Sequence, residues 1–165
     1  MFILCLFERW VALPQCGKEQ HVSRPDLNAL LNALLPFAQR MLTEHGEFYP
    51  FGASMNQAGE ISMEAINMSG RRTVSREVVG LLENEFRTAA RSGEIRAIGI
   101  CLEVRLVPPG KTVKTDAIKA VLEHIDGEAI DTFLPYTRGF LGKTKYGEIF
   151  ASQATPRIFG AGVAT

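Results

Sequence analysis

TDAIKAVLEHIDGEAIDTFLPY, residues 115–136, is the stretch on which the fold turns. Two runs with apolar alternation flank Asp126-Gly127, the dipeptide that a two-residue type I′ turn prefers. The spacing predicts a β-hairpin. With that turn, Ile125 faces Glu128, His124 faces Ala129, Glu123 faces Ile130 and Leu122 faces Asp131. His124 and Asp131 then share a face as diagonal neighbours, while Glu123 and Glu128 fall on the other. The acid-rich segment EHIDGEAID (123–131) therefore splits instead of converging. A His–Asp diagonal can orient an imidazole for acid–base work, so His124 and Asp131 form the candidate catalytic pair. A metal needs at least three converging ligands, and one hairpin face supplies two. No metal and no cofactor are expected, and the motif alone favours a solvated hairpin tip.

Upstream, EIRAIGICLEVRLVPPG (94–110) reads as a long strand ended by Pro108-Pro109-Gly110. Ile98, Ile100, Leu102, Val104 and Leu106 point one way, Glu103 and Arg105 the other. SREVVGLLENEFRTAARSG (75–93) is a helix with Ser75 as its cap, an apolar stripe of Val79, Leu82, Phe86 and Ala89, and Ser92-Gly93 as its stop. GEFYPFGASMNQAGEISMEA (46–65) reads as two strands around an Asn56–Gly59 turn, with Pro50 marking an edge strand or a bulge. SRPDLNALLNALLPFAQRMLTEHG (23–46) is a first helix. Ser23 is its cap, Asp26 suits the positive end of the dipole, and Gly46 ends it. Pro36 predicts a kink or a break into two short helices. Downstream, YGEIFASQATPRIF (146–159) carries a further strand.

The order α-β-β-α-β-β-β implies an α+β domain with two main helices and an antiparallel sheet of about five strands. That order is similar to those of the profilin-like and roadblock-like folds, a likeness that carries no function. Residues 23–160 form the expected single domain. Residues 1–22, with Cys5, Trp10 and Cys16 and no clear period, read as a loosely held extension, and 161–165 as a flexible tail.

The 18 basic and 18 acidic residues balance, so net charge gives no reason to expect nucleic acid or an anionic membrane as partner. Three scattered cysteines without a CxxC fit a reducing cytoplasm. The opening apolar run, Met1 to Phe7, is too short to span a bilayer. A soluble cytoplasmic protein is expected.

Other segments carry weaker chemistry. PPGKT (108–112) lacks the first glycine of a phosphate loop, because Arg105 stands there. In YTRGFLGKTKYGE (136–148), Arg138, Lys143 and Lys145 alternate with Tyr136, Phe140 and Tyr146. Basic and aromatic residues together can hold single-stranded nucleic acid. However, Leu141 and Gly142 depart from the RNA-recognition signature that Arg138-Gly139-Phe140 begins, and nucleic acid is not the expected partner. A partner-protein surface is the alternative, since aromatics and arginine are the usual anchors. Arg71, Arg72 and Arg76 stand before a helix start, where an anion can bind. Phe48, Tyr49 and Phe51 alternate, so at least one belongs to the core. His21 and His45 have no partner at ligand spacing.

GEFYPFGA, EHIDGEAIDTFLPY and YGEIFASQATPRIF together resemble segments of a family of small bacterial α+β proteins to which no activity is attached. The resemblance spans about residues 25–159 and implies no functional residue. Small α+β proteins of this kind are common among immunity proteins paired with toxins. The first expectation is therefore a non-enzymatic module that binds another protein, as an immunity-type inhibitor or assembly factor. Its contact surface would come from Phe48, Tyr49, Phe51, Arg138, Phe140, Lys143 and Tyr146. The second is a module for a small anionic ligand, framed by the 48–51 aromatics and the helix start near Ser75. The third is a weak hydrolase-like enzyme using His124 and Asp131. An exposed strand edge near Pro50 or in the C-terminal segment would allow a homodimer.

Overall fold

A computed structural model describes residues 23–66, 74–140 and 143–160. The expected extension (1–22), the tail (161–165), Arg71, Arg72, Leu141 and Gly142 lie outside the described residues.

Helix α1 runs from Ser23 to His45 without interruption. Pro36 does not break it. Pro36 and Asn32, whose carbonyl loses its partner to the proline, are both exposed, so water can satisfy that carbonyl. Leu27, Leu30, Leu31, Leu34, Ala38 and Leu42 are buried along one face. Gly46, at φ 75°, turns the chain out with its amide on the Leu42 carbonyl.

Strands β1 (Phe51–Asn56) and β2 (Ile61–Glu64) follow, then α2 (Ser75–Arg91), β3 (Ile95–Leu106), β4 (Thr115–His124), β5 (Ala129–Arg138), β6 (Thr144–Tyr146) and β7 (Phe150–Gln153). The α+β class and the element order are as expected, with seven strands among the described residues instead of about five. The antiparallel sheet runs β2-β1-β3-β4-β5-β6, with β7 also on β5. Pro50 precedes β1 and β1 is an interior strand, so the expected edge is β2 instead. Segment 144–153 supplies two strands that share one edge. β6 takes Tyr136–Arg138 of β5, β7 takes Ile130–Phe133, and the Gly147 amide bonds the Pro135 carbonyl between them. The cap of α2 is Val74, with no side-chain hydrogen bond, rather than Ser75. Its buried stripe is Val78, Leu82 and Phe86, one position round from the expected one at Val79.

The helices cover opposite faces. Leu34, Phe51, Ala53, Ala97, Cys101, Ala120 and Leu122 pack with α1. Ile98, Ile100, Leu82, Phe86 and Ile158 pack with α2. The first half of β3 is therefore buried on both sides. Small residues line the α1 side, and Gly99 is the extreme case. A Cβ there would lie 2.4 Å from Leu34 Cδ1 and 3.1 Å from Leu122 Cδ2. Leu34 is fully buried and has nowhere to move. Gly99→Ala is expected to lose about 1–3 kcal/mol to overpacking, which outweighs the roughly 0.5–1 kcal/mol that alanine gains over glycine in a strand. Urea denaturation checks this. Combining it with Leu34→Ala should cost less than the sum of the two, and strict additivity would contradict the close approach.

Candidate functional site

The 123–128 turn has a different register from the one its sequence suggests. The His124 amide donates to the Glu128 carbonyl and the Gly127 amide to the His124 carbonyl, with Gly127 at φ 88°. This is a three-residue loop, Ile125 to Gly127, closed by a glycine bulge. It pairs Glu123 with Ala129, Leu122 with Ile130 and Val121 with Asp131. One residue of slip moves each side chain to the other face relative to its partner. His124 lies on the α1 face and Asp131 on the α2 face. The register does not bring His124 and Asp131 together as expected.

His124 is 3% exposed and sits in a cluster at the base of α1. The Asp126 amide donates to its Nδ1 at 3.1 Å. The hydrogen-bond pattern therefore assigns the ring proton to Nε2, which donates to Asp26 Oδ2 at 3.2 Å. Arg96 Nη2 donates to Asp26 Oδ1 at 2.9 Å. Its Nε lies 2.8 Å from Oδ2 without hydrogen-bond alignment. Arg96 Nη1 also holds the Gln57 carbonyl of the β1–β2 turn. The Ser23 hydroxyl donates to Glu128 Oε2, and Arg24 Nε lies 3.2 Å from Glu128 Oε1. Asp26 thus does more than meet the helix dipole. It fastens the first turn of α1 to β3 and β4, and both His124 ring nitrogens are occupied.

On the other face, Asp131 Oδ2 is 2.6 Å from Lys119 Nζ, which lies over the Phe133 ring. Glu123, 1% exposed, accepts the amides of Arg157 at 2.9 Å and Ile158 at 2.8 Å. No local sequence signal marks this, because the partners are backbone groups more than thirty positions away. Arg157 is held further by Glu83, and its carbonyl by Arg87, both on α2.

The opposite end of the sheet is open. β3 and β5 both run antiparallel to β4, so the 107–114 loop and the β5–β6 connection lie at one end. Between them is a groove of about 740 Å³, formed by Pro108–Thr115 on one side and Lys145–Phe150 on the other. Pro135, Tyr146, Ile149 and Phe150 supply apolar surface, with Phe150 stacked on Phe133 at 5.1 Å. Lys111, Lys114 and Lys145 border it against one acid, Glu148, and none of the four makes an ion pair among the described residues. Val113, on the groove wall, is 73% exposed, and Phe140, at the neighbouring connection, 96%. The sequence marked PPGKT and the 136–148 segment separately, and the sheet topology brings them together.

The expected contact residues divide. Phe48 and Phe51 are buried under α1, where Phe51 packs edge-on against Phe37 and Phe48. They belong to the core, and α2, with Ser75, lies across the sheet, so they do not frame a pocket with it. Tyr49 is exposed. Phe140 and Lys143 are exposed and Tyr146 lines the groove. Arg138 turns to the α1 face, over the Tyr136 ring and 3.7 Å from Glu103. Arg76 is exposed at the start of α2.

The Tyr136 hydroxyl donates to Glu103 Oε1 at 2.7 Å. Burial first, then that hydrogen bond, pushes its phenol up to about 12. A raised folded-state value means stability that is present below the unfolded value near 10 and is lost as pH rises towards about 12. Tyr136→Phe should flatten the alkaline limb of a stability–pH curve between those values, and an unchanged limb would contradict the assignment. Burial, and then Glu103, also raises the Cys101 thiol, which is free and inside the core.

Among the described residues, no group of His, Cys, Asp and Glu is placed to hold a metal ion, and no helix is long and apolar enough to cross a membrane. The features that remain are those of an α+β module with a polar lock at one end and a lysine-bordered groove at the other. No protein-family model, curated protein or solved structure matches the chain.

Proposed function

We propose that the protein is a non-enzymatic module that binds another protein, as an inhibitor or assembly factor, through the end of the sheet formed by residues 107–114, Phe140 and 143–150. The observation that carries this reading is the open groove with Val113 and Phe140 standing in solvent beside it. Large apolar side chains ringed by polar ones are the usual mark of a protein contact. The hydrolase reading loses its support, since His124 and Asp131 lie on two faces and both are engaged elsewhere. A small anionic ligand is the second reading, favoured by Lys111, Lys114 and Lys145 around one opening.

A photo-crosslinking residue placed at Val113 tests the proposal in cells of the protein's source. A discrete protein adduct is expected there and not from a probe at exposed Ser62 on the β2 edge. Adducts of equal yield from both positions, or none from Val113, would refute the proposal.

A further inference from the structure

We infer that the groove receives an extended, acidic segment of the partner that sets an apolar side chain on the floor of Pro135, Tyr146, Ile149 and Phe150. This rests on the protein-binding reading and gives the partner its chemistry. The lysines stand on both walls, Lys111 and Lys114 on the loop and Lys145 on β6, so positive charge lies on both sides of the groove. Glu148 is the one opposing charge in the lining. A compact anion would be met by converging donors at one point, whereas three exposed lysines around an apolar floor match a chain that alternates acid and apolar groups. The loop wall also has backbone to offer. Positions 111–114 lie outside the β3–β4 ladder, which ends at Leu106 and Thr115. The amides of Thr112, Val113 and Lys114 make no backbone hydrogen bond among the described residues. An extended segment laid along the loop can take these donors while its alternate side chains face the floor.

The probe is a fluorescein-labelled peptide alternating glutamate and leucine, titrated into the full chain and followed by anisotropy and by backbone amide shifts. Alternating lysine–leucine and serine–leucine peptides, inorganic phosphate and phosphatidylserine vesicles serve as the comparison arms. The acidic peptide should bind, with shifts confined to Lys111–Thr115 and Lys145–Phe150. Its affinity should fall about tenfold in Lys111→Glu/Lys114→Glu/Lys145→Glu, as expected when several exposed charge pairs are reversed, and should weaken with salt. The triple variant changes exposed side chains only, and retained amide dispersion confirms that it folds. Phosphate that competes at equal concentration, vesicles that bind while the peptide does not, or shifts elsewhere on the chain would each overturn the inference. A Val113 crosslink to a protein that survives the triple substitution would overturn the acidic segment while leaving the protein-binding reading standing.

Discussion

Asp26→Ala should cost about 3 kcal/mol of folding stability, which lowers Tm by roughly 10 °C for a chain of this size. The carboxylate answers two groups at once, the Arg96 guanidinium and the His124 Nε2–H. Removing it strands a cation and a buried donor. His124 is almost fully buried, whereas Arg96 keeps about a quarter of its side-chain surface exposed, at 27%. The penalty therefore belongs at the low end of the range for breaking a buried pair. Loss of an acid from the first turn of α1 adds a few tenths of a kcal/mol. Asp26→Asn keeps one acceptor and should fall between the two. Thermal unfolding by circular dichroism measures all three chains. A loss below about 1 kcal/mol, the scale of a surface ion pair, would mean that the cluster is not closed.

Glu123→Ala should cost about 3 kcal/mol, by a different route. Its two oxygens each take one backbone amide of the C-terminal segment, and charge-assisted bonds of this kind are the stronger ones. Without them, two donors would be left unsatisfied beside a cavity. The segment has an alternative, which is to leave the sheet and hydrate its amides. The cost is then capped by what docking contributes, chiefly burial of Ile158 against Leu82, Phe86 and Ile98. Hydrogen exchange separates the outcomes. The Arg157 and Ile158 amides should lose protection in Glu123→Ala while those of β3 and β4 keep theirs. Unchanged protection at Ile158 would contradict the role given to Glu123.

Much of the fold is legible in the sequence because its elements carry strong local signals. The period of α1 and the long alternation of β3 each specify one state. The errors arise where two local solutions use the same residues. Asp126-Gly127 suits both a two-residue turn and a three-residue loop with a glycine bulge, since both place Gly127 at positive φ. Only packing chooses between them, and the choice inverts the faces of His124 and Asp131. The bulged register buries His124 against Asp26 and aims Glu123 at the Arg157 and Ile158 amides, so tertiary hydrogen bonds decide it. The break offered for Pro36 does not occur, for a related reason. The proline costs the helix one hydrogen bond, and exposure of Asn32 and Pro36 lets water satisfy the freed carbonyl. The groove was half legible. Its walls include PPGKT, weighed as a phosphate loop, and the basic and aromatic 136–148 segment, but their meeting depends on β3 and β5 flanking β4.

The register of the 123–128 turn separates His124 from Asp131 and leaves the lysine-bordered end as the one whose charged groups make no ion pair among the described residues. A double-mutant cycle reads it directly. Asp26→Ala with His124→Ala should show a coupling energy of about 1–2 kcal/mol, and His124→Ala with Asp131→Ala less than about 0.5 kcal/mol. A coupling between His124 and Asp131 that equals or exceeds the one between His124 and Asp26 would contradict the account.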